Sequence, residues 1–118
     1  MATSVYTTEE VELQDGSKVT LRPNVIKKQK RFMAALEELE TPGSQIEAYD
    51  QILDLAQICL ETTAPELAAD RDKMEDVLDE PTIYKIIEVC GGIKLNDPNL
   101  LAAAAAAMTS TQVEDGQN

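Results

Sequence analysis

The spacing of hydrophobic residues changes along the chain, from alternation near the N-terminus to helical spacing after it. Residues 9–22 alternate around Asp15-Gly16, which predicts a β-hairpin. A three-residue loop with Gly16 in the left-handed position gives this hairpin a single apolar face, whereas a two-residue loop divides the apolar residues between both faces. The residues on the single face are Val11, Leu13, Val19 and Leu21. We therefore predict the longer loop, with Val11 opposite Val19 and the apolar face packed on the rest of the protein.

Helical spacing follows at about residues 24–40, 44–62, 70–78 and 81–91, with a short helical turn at 67–69. Each of the three longer segments has an apolar stripe that we expect to be buried. The first stripe contains Val25, Ile26, Phe32, Met33, Leu36 and Leu39. The second contains Ile46, Tyr49, Ile52, Leu53, Leu55, Ala56, Cys59 and Leu60. The last contains Ile83, Ile86, Ile87 and Cys90. The second stripe is the widest, so this segment is predicted to be the central helix of the core. In the charged segment 70–78, the predicted anchors are Met74, Val77 and Leu78.

Start and stop signals flank these segments. Capping boxes are predicted at Ser44–Glu47 and Thr63–Glu66. Asp79 is placed to cap the last of these helices, with Pro81 in its first turn. Gly91-Gly92 provides a left-handed C-terminal stop, after which the chain is expected to fold back on the last turn.

The segment after the glycines is predicted to be extended at residues 93–95, and Asp97-Pro98 then begins another helix that continues to Met108. These elements predict a mainly α protein, a small helical bundle of four to six helices with an N-terminal β-hairpin packed on it. We predict a flexible N-terminus at residues 1–8, a single domain at 9–108 and a disordered C-terminal tail at 109–118.

Composition narrows the possible functions. The net charge is −12, from 22 acidic and 10 basic residues, which disfavours binding to nucleic acid or to anionic membranes. Histidine is absent, and no phosphate loop, catalytic triad, zinc motif or dinucleotide fingerprint occurs. Cys59 and Cys90 each lie in an apolar run and are predicted to be core residues. We expect a cytosolic protein that is not an enzyme and holds no metal or cofactor, with no secretory signal or membrane span.

Half of the basic residues lie within ten positions, where Arg22 is followed by Lys27, Lys28, Lys30 and Arg31. This order of charges opposes the helix dipole, because the acidic residues come at the C-terminal end of the same helix. The cluster is either a solvated surface balanced by acidic helices of the same domain, or a contact site for an acidic partner or a second copy. In the second case, the acidic segment 70–80 of another copy is the expected partner.

Three stretches together resemble the tail assembly chaperones of long-tailed bacteriophages, especially phages that infect actinobacteria. They are the hairpin VELQDGSKVTLRP, the basic-then-acidic helix IKKQKRFMAALEELE and the block LDEPTIYKIIEVCGGIKLNDPNL with its alanine-rich continuation. The similarity covers about residues 9–107 as a pattern of elements, and the last block is its most specific part. Where such proteins often carry alanine before the double glycine, this chain has Cys90.

The resemblance implies an assembly factor of the host cytoplasm that is not part of the mature virion. Such chaperones coat the long, aggregation-prone tape measure protein while tail tube subunits polymerise along it. The family commonly makes a short form and a longer form by ribosomal frameshifting, and this chain would be the short form or the shared N-terminal part. The resemblance implies no catalytic, metal-binding or cofactor-binding residues.

An apolar groove between helices could hold a partner helix through anchors at helical spacing. We place this groove near residues 83–95 and the alanine helix, with Ile83, Ile87, Ile93, Leu95, Leu100 and Leu101 as the predicted partner-binding residues. Two other classes of function remain open: a structural virion component, such as a head–tail connector or tail completion protein, and an acidic adaptor or inhibitor that mimics DNA.

Overall fold

The computed structural model describes residues 8–94, which form a two-stranded hairpin followed by five helices. The elements are β1 (Glu9–Glu12), β2 (Lys18–Leu21), α1 (Ile26–Glu37), α2 (Gln45–Thr63), α3 (Pro65–Ala68), α4 (Arg71–Val77) and α5 (Glu80–Gly91). The predicted class, a mainly helical protein with an N-terminal hairpin packed on the helices, is confirmed. The predicted helix and tail beyond residue 94 lie outside the described residues.

The hairpin has the predicted register. Val11 lies opposite Val19, and Glu12 lies opposite Lys18. The backbone amide of Leu13 donates to the Ser17 carbonyl at 2.8 Å, and Gly16 has the left-handed φ of 87° that the three-residue loop requires. Leu13, Val19 and Leu21 are buried against the helices and Val11 is partly buried, so one face of the hairpin joins the core.

Helix α2 is the centre of the bundle and packs against α1, α3, α5 and β2. It runs parallel to α5, because Tyr49 near its start contacts Glu80 at the start of α5, and Cys59 near its end contacts Cys90 at the end of α5. Helix α1 runs antiparallel to α2, since its early residue Lys28 reaches Glu61 near the end of α2. The starts of α2 and α5 therefore lie at one end of the bundle, and the start of α1 lies at the other.

Two of the predicted caps form, those at Ser44 and Asp79, and Asp70 provides a third cap that was not predicted. The side chains of Ser44, Asp70 and Asp79 accept hydrogen bonds from the backbone amides of Glu47, Lys73 and Thr82, respectively. At the start of α2, the Glu47 carboxylate accepts from the amide of Gly43, one residue earlier than in a standard capping box. Gly92 ends α5 in a left-handed conformation with φ of 76°, as its sequence predicts.

The capping box predicted at Thr63–Glu66 is wrong. Thr63 is the last residue of α2, and the helical bond from the Ala64 amide to the Leu60 carbonyl extends beyond it. A residue in helical conformation cannot act as an N-cap, which needs an extended backbone. Helix α3 begins at Pro65 without any side-chain cap.

The core contains most of the predicted stripe residues, but four are exposed, of which Tyr49 is the least exposed at 39%. Val25, Ile26 and Ile46 are 68%, 73% and 73% exposed. Val25 precedes α1 as its N-cap, and Ile26 and Ile46 belong to the first turns of their helices, where the neighbouring elements do not cover them. By contrast, Phe32, Leu36 and the predicted residues of α5 are buried as expected. The α5 residues are Ile83, Ile86, Ile87 and Cys90.

Candidate partner-binding surfaces

The predicted partner-binding residues divide into two groups. Ile83, Ile87 and Ile93 lie in the core, with exposed fractions of 5%, 0% and 7%. The other three, Leu95, Leu100 and Leu101, lie outside the described residues. The role of all six in binding stays a prediction, and Ile83 lines an open cleft.

The basic cluster is used partly inside the domain. Lys28 and Arg31 both pair with Glu61 of α2, at 2.8 Å from Nζ and 2.6 Å from Nη1 to the same carboxylate oxygen. Arg31 and Lys28 together lower the pKa of Glu61 from 4.5 to about 2. For these two residues, the structure therefore provides an acidic partner in the same domain. Lys27 and Lys30 form no salt bridge with another residue of the described part.

The first surface of interest is the start of α1, which we call the α1 edge and define as Val25, Ile26, Lys27 and Lys30. Both apolar residues are more than two-thirds exposed, at 68% and 73%. A shallow groove of about 350 Å³ continues from Ile26 along α1 to the half-buried Met33. The α1 edge thus combines exposed aliphatic side chains with two lysines that form no salt bridge within residues 8–94.

The second surface is an open cleft of about 380 Å³ between α2, α4 and α5, which we call the α2–α4–α5 cleft. Its apolar lining residues are Ile46, Tyr49, Leu53, Leu78 and Ile83. Three acidic residues line it as well, namely Asp50, Glu75 and Glu80. The Glu80 carboxylate accepts hydrogen bonds from the hydroxyls of Tyr49 and Tyr84, both at 2.8 Å.

One base lies close to these acids. Arg71 is 3.9 Å from Asp50 and 3.7 Å from Glu75, and it makes a shorter pair with Asp54 at 2.8 Å. Arg71 thus lies near two of the three acids of the cleft and pairs most closely with a fourth acid outside it, so negative charge remains in excess in the cleft.

The third surface is an open cleft of about 390 Å³ between the hairpin, α3 and α4, which we call the hairpin cleft. Four core residues reach the surface on its floor: Leu13, Val19, Leu67 and Val77. Charges of both signs surround them, including Asp15 and Lys73, which pair at 3.5 Å. The floor is continuous with the hydrophobic core.

Neither cysteine forms a reactive site. Cys59 and Cys90 are both buried, with exposed fractions of 1% and 3%. The two thiols are hydrogen-bonded to each other, and this bond together with burial raises the pKa of Cys59. The Asn24 side-chain amide donates to Cys59 Sγ at 3.7 Å. The cysteines are core residues, as predicted, although the fold brings them together from distant parts of the chain.

Within residues 8–94, no group of three or more acidic, cysteine or histidine residues is arranged to hold a metal ion. No helix in this part of the chain is both long and apolar enough to cross a bilayer. Comparison with protein-family models, with curated proteins and with solved structures found no match.

The sequence offered a contact between the basic cluster and the acidic segment 70–80 of another copy as one of two alternatives, but it did not predict the apolar residues of these surfaces or the hairpin cleft. The α1 edge and the α2–α4–α5 cleft depend on apolar residues that the helical stripes assigned to the core. A usable signal was present, because Ile26 and Ile46 each lie within two residues of a helix N-cap. Side chains in a first turn project near the end of the bundle, where burial is least complete.

Proposed function

We propose that this chain is a tail assembly chaperone of a long-tailed bacteriophage, which binds and solubilises the tape measure protein during tail tube assembly. It acts by binding alone, without catalysis, in the host cytoplasm, and it is absent from the mature virion. The resemblance of residues 9–107 to such chaperones supports this proposal. The observation that carries it in the structure is the hairpin cleft, an open cleft on a strongly acidic protein whose floor is formed by the edges of four nearly buried apolar residues.

The hairpin cleft suits a partner helix. Its floor consists of Leu13 and Val19 from the hairpin, Leu67 from α3 and Val77 from α4. The hairpin on one side and the two helices on the other therefore enclose one apolar surface. An amphipathic helix can place side chains at i, i+3, i+4 and i+7 into such a surface. A tape measure protein is long, largely helical and apolar, so it offers this pattern many times.

The charge of the protein fits the same role. Its net charge of −12 gives each copy a repulsive exterior. Copies bound along a long apolar polypeptide would therefore keep the complex dispersed while tail tube subunits polymerise. A charge of this size also disfavours contacts with phosphates, so nucleic acid is not an expected partner.

Co-expression with helical fragments of the tape measure protein tests the proposal. The full chain should move fragments from the insoluble to the soluble fraction and copurify with them. Ser17→Trp should abolish this effect, because Ser17 lines the hairpin cleft and a large ring there obstructs the floor. Thr20→Trp is the matched control, since Thr20 is exposed on β2 and does not line the hairpin cleft.

Three outcomes would contradict the proposal: no gain in solubility with the full chain, equal loss with both tryptophan variants, or the protein as a stoichiometric component of purified particles. The last outcome would instead favour a structural virion protein. Circular dichroism of both variants confirms that any loss of binding does not come from unfolding.

A further inference from the structure

The large hydrophobic residues that are exposed in the described part of the chain fall into two groups. Val25 and Ile26 belong to the α1 edge, and Ile46 and Tyr49 belong to the α2–α4–α5 cleft. The first group lies at the start of α1 beside two lysines. The second lines a concave cleft beside three acids. We propose that the α1 edge of one copy docks into the α2–α4–α5 cleft of the next copy.

The two surfaces lie at opposite ends of the bundle. Lys28 pairs with Glu61 near the end of α2, whereas the cleft contains Tyr49 near its start. These two positions on α2 are twelve residues apart, or about 18 Å at 1.5 Å per residue. A molecule therefore cannot place its own α1 edge in its own cleft, and the contact has to join different copies.

Charge identifies the occupant of the cleft. Lys27 and Lys30 have no acidic partner in the described part of their own chain, although Lys28 and Arg31 beside them share Glu61. The cleft offers Asp50, Glu75 and Glu80, which a single arginine neutralises only in part. Association would give the two lysines acidic neighbours while it covers the exposed aliphatic residues of both surfaces.

Residues 95–118 of the same chain are a poorer match for the cleft. This segment carries Asp97, Glu114 and Asp115 but no lysine or arginine. Its approach would add negative charge to a surface that is already acidic. A second copy is therefore the occupant that both the hydrophobic and the charged residues favour.

The contact is heterologous, because the two surfaces that meet consist of different residues of the chain. Heterologous contacts repeat from copy to copy, and they form rings or open chains according to the rotation between neighbours. The contact goes beyond tape measure binding and does not require it. It also leaves the hairpin cleft free, since the two clefts share no lining residue.

Complementary variants test this contact. Ile26→Asp disrupts the α1 edge and keeps the cleft, whereas Ile46→Asp disrupts the cleft and keeps the edge. Both positions are exposed and lie in the first turns of their helices, where aspartate is favoured by the helix dipole, so both variants should fold. Circular dichroism and the urea midpoint verify this before association is measured.

Sedimentation equilibrium over a concentration series gives the association. The average mass of the unmodified chain should rise with concentration. It should either exceed the mass of a dimer and keep rising, or level off at the mass of a closed ring. Each variant alone should stay monomeric, with association weakened at least about tenfold, as expected when a central apolar contact is lost. An equimolar mixture of the two variants should form dimers that grow no further, because only one intact edge and one intact cleft remain per pair.

A charge-reversed pair provides a second test. Lys27→Glu with Lys30→Glu should weaken association and remove most of its salt dependence. The control, Lys18→Glu with Lys85→Glu, changes the net charge equally but alters lysines that pair with Glu10 and Glu9 on the hairpin. The control should associate more strongly than the Lys27/Lys30 variant at the same ionic strength.

Three results would overturn the proposal. The unmodified chain could remain a monomer at every concentration, which would leave the cleft to residues 95–118 or to another protein. The mixture of Ile26→Asp and Ile46→Asp could remain monomeric, which would exclude a head-to-tail contact. The two charge-reversed proteins could associate equally, which would exclude Lys27 and Lys30 from the interface.

Discussion

Replacement of Gly91 by alanine should destabilise the protein, although alanine is the better helix former. Gly91 is the last residue of α5 and is buried. A Cβ atom at this position would lie 2.7 and 2.8 Å from Cε2 and Cε1 of Phe32 and would also meet Cζ. Phe32 is completely buried, so its ring has little room to move.

The expected magnitude follows from two opposing effects. Overpacking a core costs about 1–3 kcal/mol, and so close an overlap with a buried ring belongs at the upper end. Replacement of glycine by alanine inside a helix recovers at most about 1 kcal/mol. We therefore expect a net loss of about 2 kcal/mol in the free energy of unfolding, or a fall of about 10 °C in Tm.

Urea unfolding followed by circular dichroism measures this loss, and a double-mutant cycle assigns it to the ring. Phe32→Leu should recover at least about 1 kcal/mol of the Gly91→Ala loss, because the two changes share one contact. Gly92→Ala is the matched control: it has a left-handed φ of 76° and nothing within 4 Å of a new Cβ. It should lose about 1 kcal/mol, which Phe32→Leu does not recover. A Gly91→Ala variant as stable as the unmodified protein would contradict the predicted contact.

Three further predictions concern single residues. Glu61→Gln should lower the free energy of unfolding by about 1 kcal/mol at pH 7, a value discounted because the Glu61 side chain is 36% exposed. The folded state lowers the pKa of Glu61, so the difference between the two proteins should shrink as the pH falls from 4.5 towards 2. A difference that does not change with pH would argue against the ion pairs of Glu61. Asp79→Ala should lose about 1 kcal/mol in urea unfolding, because Asp79 accepts from the Thr82 amide at 2.9 Å, whereas Asp79→Ser should keep most of that stability, and equal losses would exclude capping. Cys59 and Cys90 should resist a thiol reagent in the native state and react once unfolded, because both are buried, and rapid labelling of the native protein would contradict that burial.

Local signals predicted the boundaries of the fold well. Asp79 and Gly92 delimit α5 with chemistry that depends on a few neighbouring atoms, and the left-handed Gly16 sets the hairpin register. Such features are legible in sequence because the interacting atoms lie within four residues of each other. The cap predicted at Thr63 was wrong because α2 continues through this residue. The local sequence is compatible both with a cap and with a longer helix, and it did not show which of the two forms.

Tertiary contacts were less predictable. Periodicity showed that Ile26 and Ile46 share a face with core residues, but not that the bundle ends before it covers them. The double glycine was explained by the need for a left-handed stop, which holds for Gly92 alone. Gly91 is required by the ring of Phe32, which is distant in sequence. The apolar parts of the surfaces proposed to bind partners depend on these long-range arrangements, so they emerged only from the structure.

The most direct test of the proposed function is the mass of complexes between the purified chain and tape measure fragments of increasing length, measured by sedimentation. A chaperone that covers successive apolar segments should bind in numbers that rise with fragment length, and Ser17→Trp should bind far fewer copies than Thr20→Trp. The absence of any complex with fragments of every length would contradict tape measure binding.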